Sequence, residues 1–150
     1  MLDYDEEAAH YDETRGGEAR AQATARALSA LLPGAARVVL DVAGGTGIVA
    51  EALTSTRRYV LVCDASQEML RRAALRLPGR AVRADSTRLP VAEDSVDAVT
   101  TVWLLQLLDV VMVEATVREV ARVLRAGGRY LTTVDKSAAH ASPSPHTVTD

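Results

Sequence analysis

Short runs of β-branched residues alternate with helical stretches along most of the chain, and this alternation constrains the fold more than any other feature. The predicted strands are residues 37–42, 59–63, 80–84, 96–103 and 130–134. Apolar residues at helical spacing lie between them, and a further helix is predicted over residues 15–32. Such alternation favours a mainly parallel sheet with right-handed crossovers. We predict an α/β fold, a Rossmann-like doubly wound sheet of about five strands with helices on both faces.

Two local signals mark helix ends in this pattern. Ser66 follows the second strand and is predicted to be the N-cap of the next helix. Gly127 and Gly128 follow the last apolar helical stripe and are predicted to stop that helix before the fifth strand. Beyond Lys136 the sequence is rich in Ser, Pro and small residues without periodicity. We therefore predict one domain over residues 1–136 and a mobile tail over residues 137–150.

Composition and charge argue against several classes of protein. The 17 Lys and Arg against 20 Asp and Glu give a net charge of −3, and one Trp with four Tyr cannot build a base-stacking platform. Nucleic-acid binding is therefore not expected. The single cysteine, Cys63, cannot form an intrachain disulfide, and the acidic start lacks the pattern of a signal peptide. The longest apolar run, residues 102–108, is too short to span a bilayer. We expect a cytoplasmic protein that binds small molecules and no membrane.

Acidic side chains occur at the ends of three successive predicted strands. Asp41 lies at the end of the first strand, Asp64 follows the second and Asp85 the third, and a glycine-rich turn over residues 43–47 opens the first crossover helix. Ligands of such sheets bind at the carboxyl ends of the strands, where glycines let the backbone approach closely. Asp64 could accept hydrogen bonds from two ribose hydroxyls, and Asp85 from the exocyclic amine of adenine.

The glycine turn by itself leaves two ligand classes open. Gly45-x-Gly47-x-x-Ala50, with Asp64 placed 19 residues after Gly45, also satisfies the dinucleotide fingerprint, so a nicotinamide-dependent oxidoreductase is an alternative. Asp41 favours the other class, because its carboxylate would suit a cationic ligand with an amino group and a sulfonium better than a pyrophosphate. Each acid on its own could equally be a helix cap or a turn residue.

Four motifs in order carry a more specific resemblance. They are VLDVAGGTG over residues 39–47, VCDASQEML over 62–70, ADSTRLPVAEDSVDAV over 84–99 and EVARVLRAGGRYLTTV over 119–134. With them the chain resembles the class I S-adenosylmethionine-dependent methyltransferases. It is nearest to the C-methyltransferases of quinone biosynthesis and related bacterial small-molecule methyltransferases. The resemblance runs from Tyr4 to Val134.

The resemblance implies S-adenosylmethionine as cofactor, S-adenosylhomocysteine as product and direct transfer of a methyl group to a small-molecule acceptor. It implies no metal. An N-terminal helix would form a partial lid over the methionine end of the cofactor. Asp64 would bind the ribose and Asp85 the adenine edge. The cofactor-binding residues that it implies are Tyr11, Arg15, Asp41, Ala43, Gly44, Gly45, Gly47, Asp64, Ala65, Met69, Asp85, Ser86 and Val102.

The sequence departs from the family pattern at two positions of the site. Ala43 stands where many members have their first glycine, and alanine fits there if its φ angle is negative. Gln106 lies where relatives often carry a histidine, so the family's base is missing. His10 and His140 are then the candidate catalytic bases, although histidines in such polar segments are more often merely solvated.

The pattern after the fifth strand leaves a second function open. The family normally continues with a helix and an antiparallel strand pair, for which this sequence has no counterpart. The fifth strand is therefore expected to be an exposed edge, which a homodimer could cover. A non-catalytic or partner-dependent cofactor-binding module is the alternative function. Trp103 and the leucines over residues 104–108 could line an apolar acceptor pocket or belong to a core or an interface.

Overall fold

The computed structural model describes Glu6 and residues 8–133, and their strands form one five-stranded sheet. The sheet order is β3-β2-β1-β4-β5, and every neighbouring pair is parallel. The strands are β1 Val38–Val42, β2 Tyr59–Asp64, β3 Ala81–Arg83, β4 Val96–Thr101 and β5 Leu124–Thr132. The helices are α1 Tyr11–Thr14, α2 Gly17–Leu31, α3 Ile48–Leu53, α4 Gln67–Arg76 and α5 Val110–Val123, with a 3₁₀ turn at Leu105–Leu107. The predicted Rossmann-like fold is confirmed.

Helices cover both faces of the sheet because the strand residues alternate between two apolar cores. Val39 of β1 lies in the core that contains the buried residues of α2, α3 and α4. Leu40 and Val42 lie in the other core, with Val120 and Val123 of α5. Side chains of a strand point alternately to opposite faces, so a run in which almost every residue is apolar needs cover on both sides. The carboxyl ends of the central strands are thereby fixed at one edge of the molecule.

The predicted N-cap of α4 is confirmed, whereas the predicted stop of the last helix is wrong. The Ser66 hydroxyl oxygen accepts a hydrogen bond from the Met69 amide at 3.2 Å. The last helix, α5, ends at Val123, before the two glycines, which lie within β5. The pairing of β5 with β4 shifts there from Val96 opposite Leu124 to Ala98 opposite Arg129.

The glycines form an irregularity in β5 for a steric reason. Gly127 has a φ of 79°, a left-handed conformation that favours glycine. A Cβ on Gly128 would lie 2.8 Å from the carbonyl oxygen of Arg125 and 3.0 Å from that of Asp97. The glycine pair therefore admits extra residues into the strand, as β-bulges do, rather than ending the helix.

Within the part of the chain that the structure describes, β5 pairs with β4 alone and is an edge strand. The predicted boundary at residue 136 and the predicted tail over 137–150 lie outside the described residues. None of the described helices has the length and apolar character that crossing a membrane requires.

Candidate functional site

A cavity of about 260 Å³ lies at the carboxyl ends of the strands, close to the lower size limit of small-molecule sites. Its walls come from α1, from the loops that follow β1, β2, β3 and β4, and from the start of α5. The predicted site residues that line it are Tyr11, Ala43, Gly45, Asp64, Ala65, Met69, Asp85, Ser86 and Val102. Its other lining residues are Ser66, Ala84, Trp103, Leu104, Leu107, Leu108 and Met112.

The glycines of the loop after β1 have different roles. Gly45 faces the cavity with a φ of 57°, and a Cβ there would lie 3.8 Å from the Met69 sulfur and from the Tyr11 ring. A Cβ on Gly44 would lie 2.6 Å from Oδ2 of Asp41, so that position requires glycine. Gly47 has a φ of 75° and packs against Ala73 of α4. Gly45 is thus open to a ligand, while Gly44 and Gly47 let the loop pack closely.

Ala43 adopts a φ of 56°, so the negative φ at which alanine would fit without strain is not found. The left-handed conformation brings an alanine Cβ close to its own backbone. Because the loop hydrogen bonds on both sides hold the backbone in place, alanine is strained here. The Gly44 amide donates to the Cys63 carbonyl at 3.1 Å, and the Gly47 amide donates to the Gly44 carbonyl at 3.0 Å.

The strain gives a first prediction. Ala43→Gly is expected to raise the free energy of unfolding by about 1 kcal/mol, since relief of the left-handed strain exceeds the entropy that glycine adds to the unfolded chain. Urea denaturation of both proteins measures this change. The matched control is Ala121→Gly on the exposed side of α5, which is expected to cost about 1 kcal/mol. Equal destabilisation by both substitutions would contradict the prediction.

Asp64 joins the ends of β1 and β2 with its carboxylate. Oδ2 accepts the Gly45 amide at 2.8 Å, and Oδ1 accepts the Ser66 amide at 2.8 Å. A carboxylate has about four lone-pair sites, so one side chain can take part in the loop and also contact a ligand. The side chain therefore both shapes the glycine loop and presents acceptors to the cavity.

Asp85 lies on the same side of the cavity, after β3. Its Oδ1 accepts hydrogen bonds from the amide and the hydroxyl of Thr87, at 2.8 and 2.7 Å. These bonds, that of the Thr87 amide foremost, hold the pKa of Asp85 below its ordinary value, so the carboxylate is ionised at neutral pH. Ser86 also lines the cavity, and its hydroxyl shares a hydrogen bond with Thr116 at 2.8 Å. A ligand that donates hydrogen bonds is thus favoured at this end.

Asp41 lies beneath the glycine loop and does not line the cavity. Its side chain is buried, Oδ1 accepts the Thr100 hydroxyl at 2.6 Å, and no donor within residues 8–133 reaches Oδ2. Burial raises the pKa of Asp41 to about 7, against the effect of the Thr100 hydrogen bond and with a further contribution from the charge of Asp64. An orphaned carboxylate oxygen under the loop attracts positive charge at the loop surface.

Arg15 and His10 do not line the cavity. The guanidinium of Arg15 lies 5.3 Å from the ring centroid of Tyr11, which itself lines the cavity. His10 is exposed, 3.9 Å from the carboxylate of Glu13, and does not line the cavity. His140 lies outside the described residues. The structure thus brings Tyr11 to the site and places His10 on the surface.

The sequence after β4 left open whether Trp103 and the leucines over residues 104–108 line a pocket or belong to a core or an interface. We call the side of the cavity that they form the apolar wall. The structure places Trp103, Leu104 and Leu107 at the cavity, while Gln106 is exposed. Trp103 has a φ of 56°, unusual for a bulky side chain, and its amide donates to the Thr133 hydroxyl at 2.7 Å. Strained backbone of this kind concentrates at functional sites. The only sequence signal for this wall is the apolar run itself.

The cavity therefore combines two chemistries. Carboxylate acceptors and an open glycine loop occupy one side, and aliphatic and indole surface occupies the other. No group of three or more His, Cys, Asp and Glu side chains suited to a metal ion occurs among the described residues. The arrangement suits a ligand that donates hydrogen bonds to the carboxylates, next to an apolar second molecule.

Comparisons with known proteins point to one family. A family model described as a methyltransferase domain matches residues 40–132. The demethylmenaquinone methyltransferase of Mycobacterium tuberculosis is 41% identical over 103 residues, which span 69% of this chain and 43% of that protein. The chain thus spans less than half the length of this curated relative.

Solved structures agree with that match. Phosphoethanolamine N-methyltransferase 1 of Haemonchus contortus, in complex with phosphoethanolamine and S-adenosylhomocysteine, is 28% identical with a TM-score of 0.62, over 75% of this chain and 26% of that chain. A TehB-like S-adenosylmethionine-dependent methyltransferase from Corynebacterium glutamicum is 23% identical with a TM-score of 0.66, over 80% of this chain and 65% of that chain. The second likeness concerns the fold alone.

Proposed function

The chain belongs to the class I S-adenosylmethionine-dependent methyltransferases, and we propose that it transfers a methyl group from S-adenosylmethionine to a small-molecule acceptor. The observation that carries the proposal is that Asp64, Asp85 and the open Gly45 face an apolar wall across one cavity. S-adenosylhomocysteine would be the product. Because the chain spans only part of its relatives, the activity is proposed for the protein that contains this domain.

The residues of the cavity fit the cofactor. Asp64 would accept hydrogen bonds from the ribose hydroxyls, and Asp85 would accept one from the adenine amine. Met69 and Ala65 would flank the adenine. The glycine loop would hold the methionine end, with the orphaned oxygen of Asp41 beneath it supplying negative charge. Tyr11 would cover that end from α1, with Arg15 stacked on its ring.

Direct displacement requires little chemistry from the protein. The cofactor supplies an activated methyl group, because the positive charge on its sulfur disappears as the carbon–sulfur bond breaks. The chain aligns the reactants and excludes water, a role suited to the apolar surface of Val102, Trp103 and Leu104. No covalent enzyme intermediate is needed. A catalytic base stays unassigned, and the roles of His10 and His140 stay predictions.

The acceptor and the partners are proposed at the level of chemical class. The relative from Mycobacterium tuberculosis is named for demethylmenaquinone, and the apolar wall supports an acceptor with an apolar face for this chain as well. Neither nucleic acid nor a membrane is part of the proposal. A homodimer would cover the edge of β5, and a cytoplasmic location, expected from the sequence, also stays a prediction.

Calorimetry on the 150-residue chain tests the function. S-adenosylhomocysteine is expected to bind with micromolar affinity, whereas reduced nicotinamide cofactor is not expected to bind. Light scattering on the same sample reports whether the chain is a dimer. Tighter binding of the nicotinamide cofactor would assign the glycine loop to the oxidoreductase alternative. If S-adenosylhomocysteine binds but the protein that contains this domain transfers no methyl group to apolar acceptors, the non-catalytic module is favoured.

A further inference from the structure

One carboxylate, that of Asp12, joins α1 to the glycine loop and to α4. Its Oδ1 accepts the hydroxyl of Thr46 at 2.5 Å, and its Oδ2 accepts from Nη2 of Arg76 at 2.7 Å. Thr46 is a buried residue of the glycine loop, and Arg76 is the last residue of α4. Asp12 thus contacts two elements that are 34 and 64 residues away along the chain.

Arg76 is held on its other side by α3. Its Nη1 donates to Oε2 of Glu51 at 3.0 Å. Burial lowers the pKa of Arg76, but the hydrogen bonds and charges of Glu51 and Asp12 outweigh it and raise the pKa above its ordinary value. The side chains of Arg76 and Asp12 are 27% and 21% exposed, so water screens this pair less than a surface ion pair.

The position of α1 depends on such contacts. The helix has four residues, and its N-cap residue His10 makes no capping hydrogen bond through its side chain. A helix of this length does not persist without tertiary contacts. Tyr11, the neighbour of Asp12, lines the cavity, and its Cε1 lies 3.8 Å from the position that a Cβ on Gly45 would take.

We propose that Asp12 is a positioning residue that holds Tyr11 over the cavity, with Thr46 and Arg76 as the two arms of a latch. The latch rests on the proposed function, since Tyr11 would cover the methionine end of the cofactor. The latch holds Tyr11 in the path by which a bound ligand would leave. Its main effect is therefore on the rate at which the ligand leaves.

Two charge-neutralising variants test the latch. Asp12→Asn and Arg76→Gln are each expected to weaken S-adenosylhomocysteine binding about tenfold, mostly through faster dissociation. The double variant is expected to bind no more weakly than the weaker single variant, since both remove the same ion pair. Trp103, the sole tryptophan and part of the cavity wall, reports binding through its fluorescence.

Matched controls come from the exposed ion pair of Glu114 and Arg118 on α5. Glu114→Gln and Arg118→Gln make the same charge changes away from the cavity and are expected to leave affinity unchanged. Salt gives a readout that a purely structural role would not move. Dissociation from the wild-type chain is expected to speed up with salt, whereas dissociation from Asp12→Asn is expected to respond little.

The outcomes separate the latch from the proposed function. Failure of the wild-type chain to bind S-adenosylhomocysteine would overturn the proposed function. If the wild-type chain binds S-adenosylhomocysteine, but Asp12→Asn binds it as tightly and releases it as slowly as Glu114→Gln does, the latch alone is overturned. If Asp12→Asn does not fold, Thr46→Val removes one arm and Arg76→Gln the other. Unchanged dissociation rates in both of these variants would also overturn the latch.

Discussion

Asp64→Ala is expected to weaken binding of S-adenosylhomocysteine by about 1 to 3 kcal/mol, roughly 5- to 150-fold. The variant removes the acceptors proposed for the ribose hydroxyls. It also frees the Gly45 and Ser66 amides, which Asp64 now holds at 2.8 Å each, so the glycine loop loses its support. Calorimetry measures the affinity, and urea denaturation measures the accompanying loss of stability.

A conservative variant separates the two effects of Asp64. Asp64→Asn keeps one acceptor oxygen, so we expect an affinity between those of the wild type and Asp64→Ala. Glu114→Ala, at an exposed position of α5, removes the same charge and is expected to bind like the wild type. Wild-type affinity in Asp64→Ala would show that this carboxylate takes no part in the site.

Local sequence was enough to predict the sheet and most of its elements. The strand run at residues 37–42 and the cap at Ser66 depend on neighbours within one turn or one strand, and both predictions match the structure closely. The role of Gly127 and Gly128 did not follow, because the bulge is defined by the register of β5 against β4. A pattern read along one segment contains no information about that register.

The polar side of the site was equally predictable, since an acid after a strand of a parallel sheet must lie at the ligand edge. Asp64 and Asp85 both line the cavity. The apolar wall was not singled out, because Trp103 and its leucine neighbours have the same pattern as a core segment. The contact of Asp12 with Arg76 could not be predicted from the sequence for another reason. It joins residues that are 64 positions apart, and it depends on how α1 packs.

Asp41 shows how a buried acid links stability to pH. Its pKa is raised from 3.8 to about 7 in the folded chain, chiefly by burial. Between these values the folded state binds more protons than the unfolded state, so the free energy of unfolding falls as pH rises. The shift corresponds to about 4 kcal/mol at most, lost in full above pH 7.

The other described acids with shifted pKa values change their contribution outside this pH range. Asp85, Asp97 and Glu119 have pKa values below their ordinary ones, so their contributions are complete above pH 5 and are lost only in acid. Burial and the nearby charges of Asp41 and Asp64 raise the pKa of Cys63 to about 12, so its contribution changes only above pH 9. The decline between pH 5 and 7 is therefore assigned to Asp41.

Asp41→Asn is expected to remove this decline. At pH 5 the variant should already be more stable by about 1 to 2 kcal/mol, because there only the unfolded wild type gains from ionising Asp41. In the folded chain a protonated aspartic acid and an asparagine have the same shape and can both accept the Thr100 hydroxyl. At pH 8 the difference should reach about 4 kcal/mol, since the variant has no charge to bury, so the two curves diverge by about 2 to 3 kcal/mol between pH 5 and pH 8. Urea denaturation at pH 5, 6, 7 and 8 measures the two curves.

The exposed Asp94 supplies the control, because Asn tolerates its φ of 50°. Asp94→Asn removes the same charge and is expected to keep the slope of the wild type. A wild-type curve that is flat from pH 5 to 8 would contradict the assignment to Asp41. A buried acid that is ionised at a cost in stability is a candidate for a functional role. Asp41→Asn is accordingly expected to be the more stable protein at pH 8 and the weaker binder of the cationic S-adenosylmethionine.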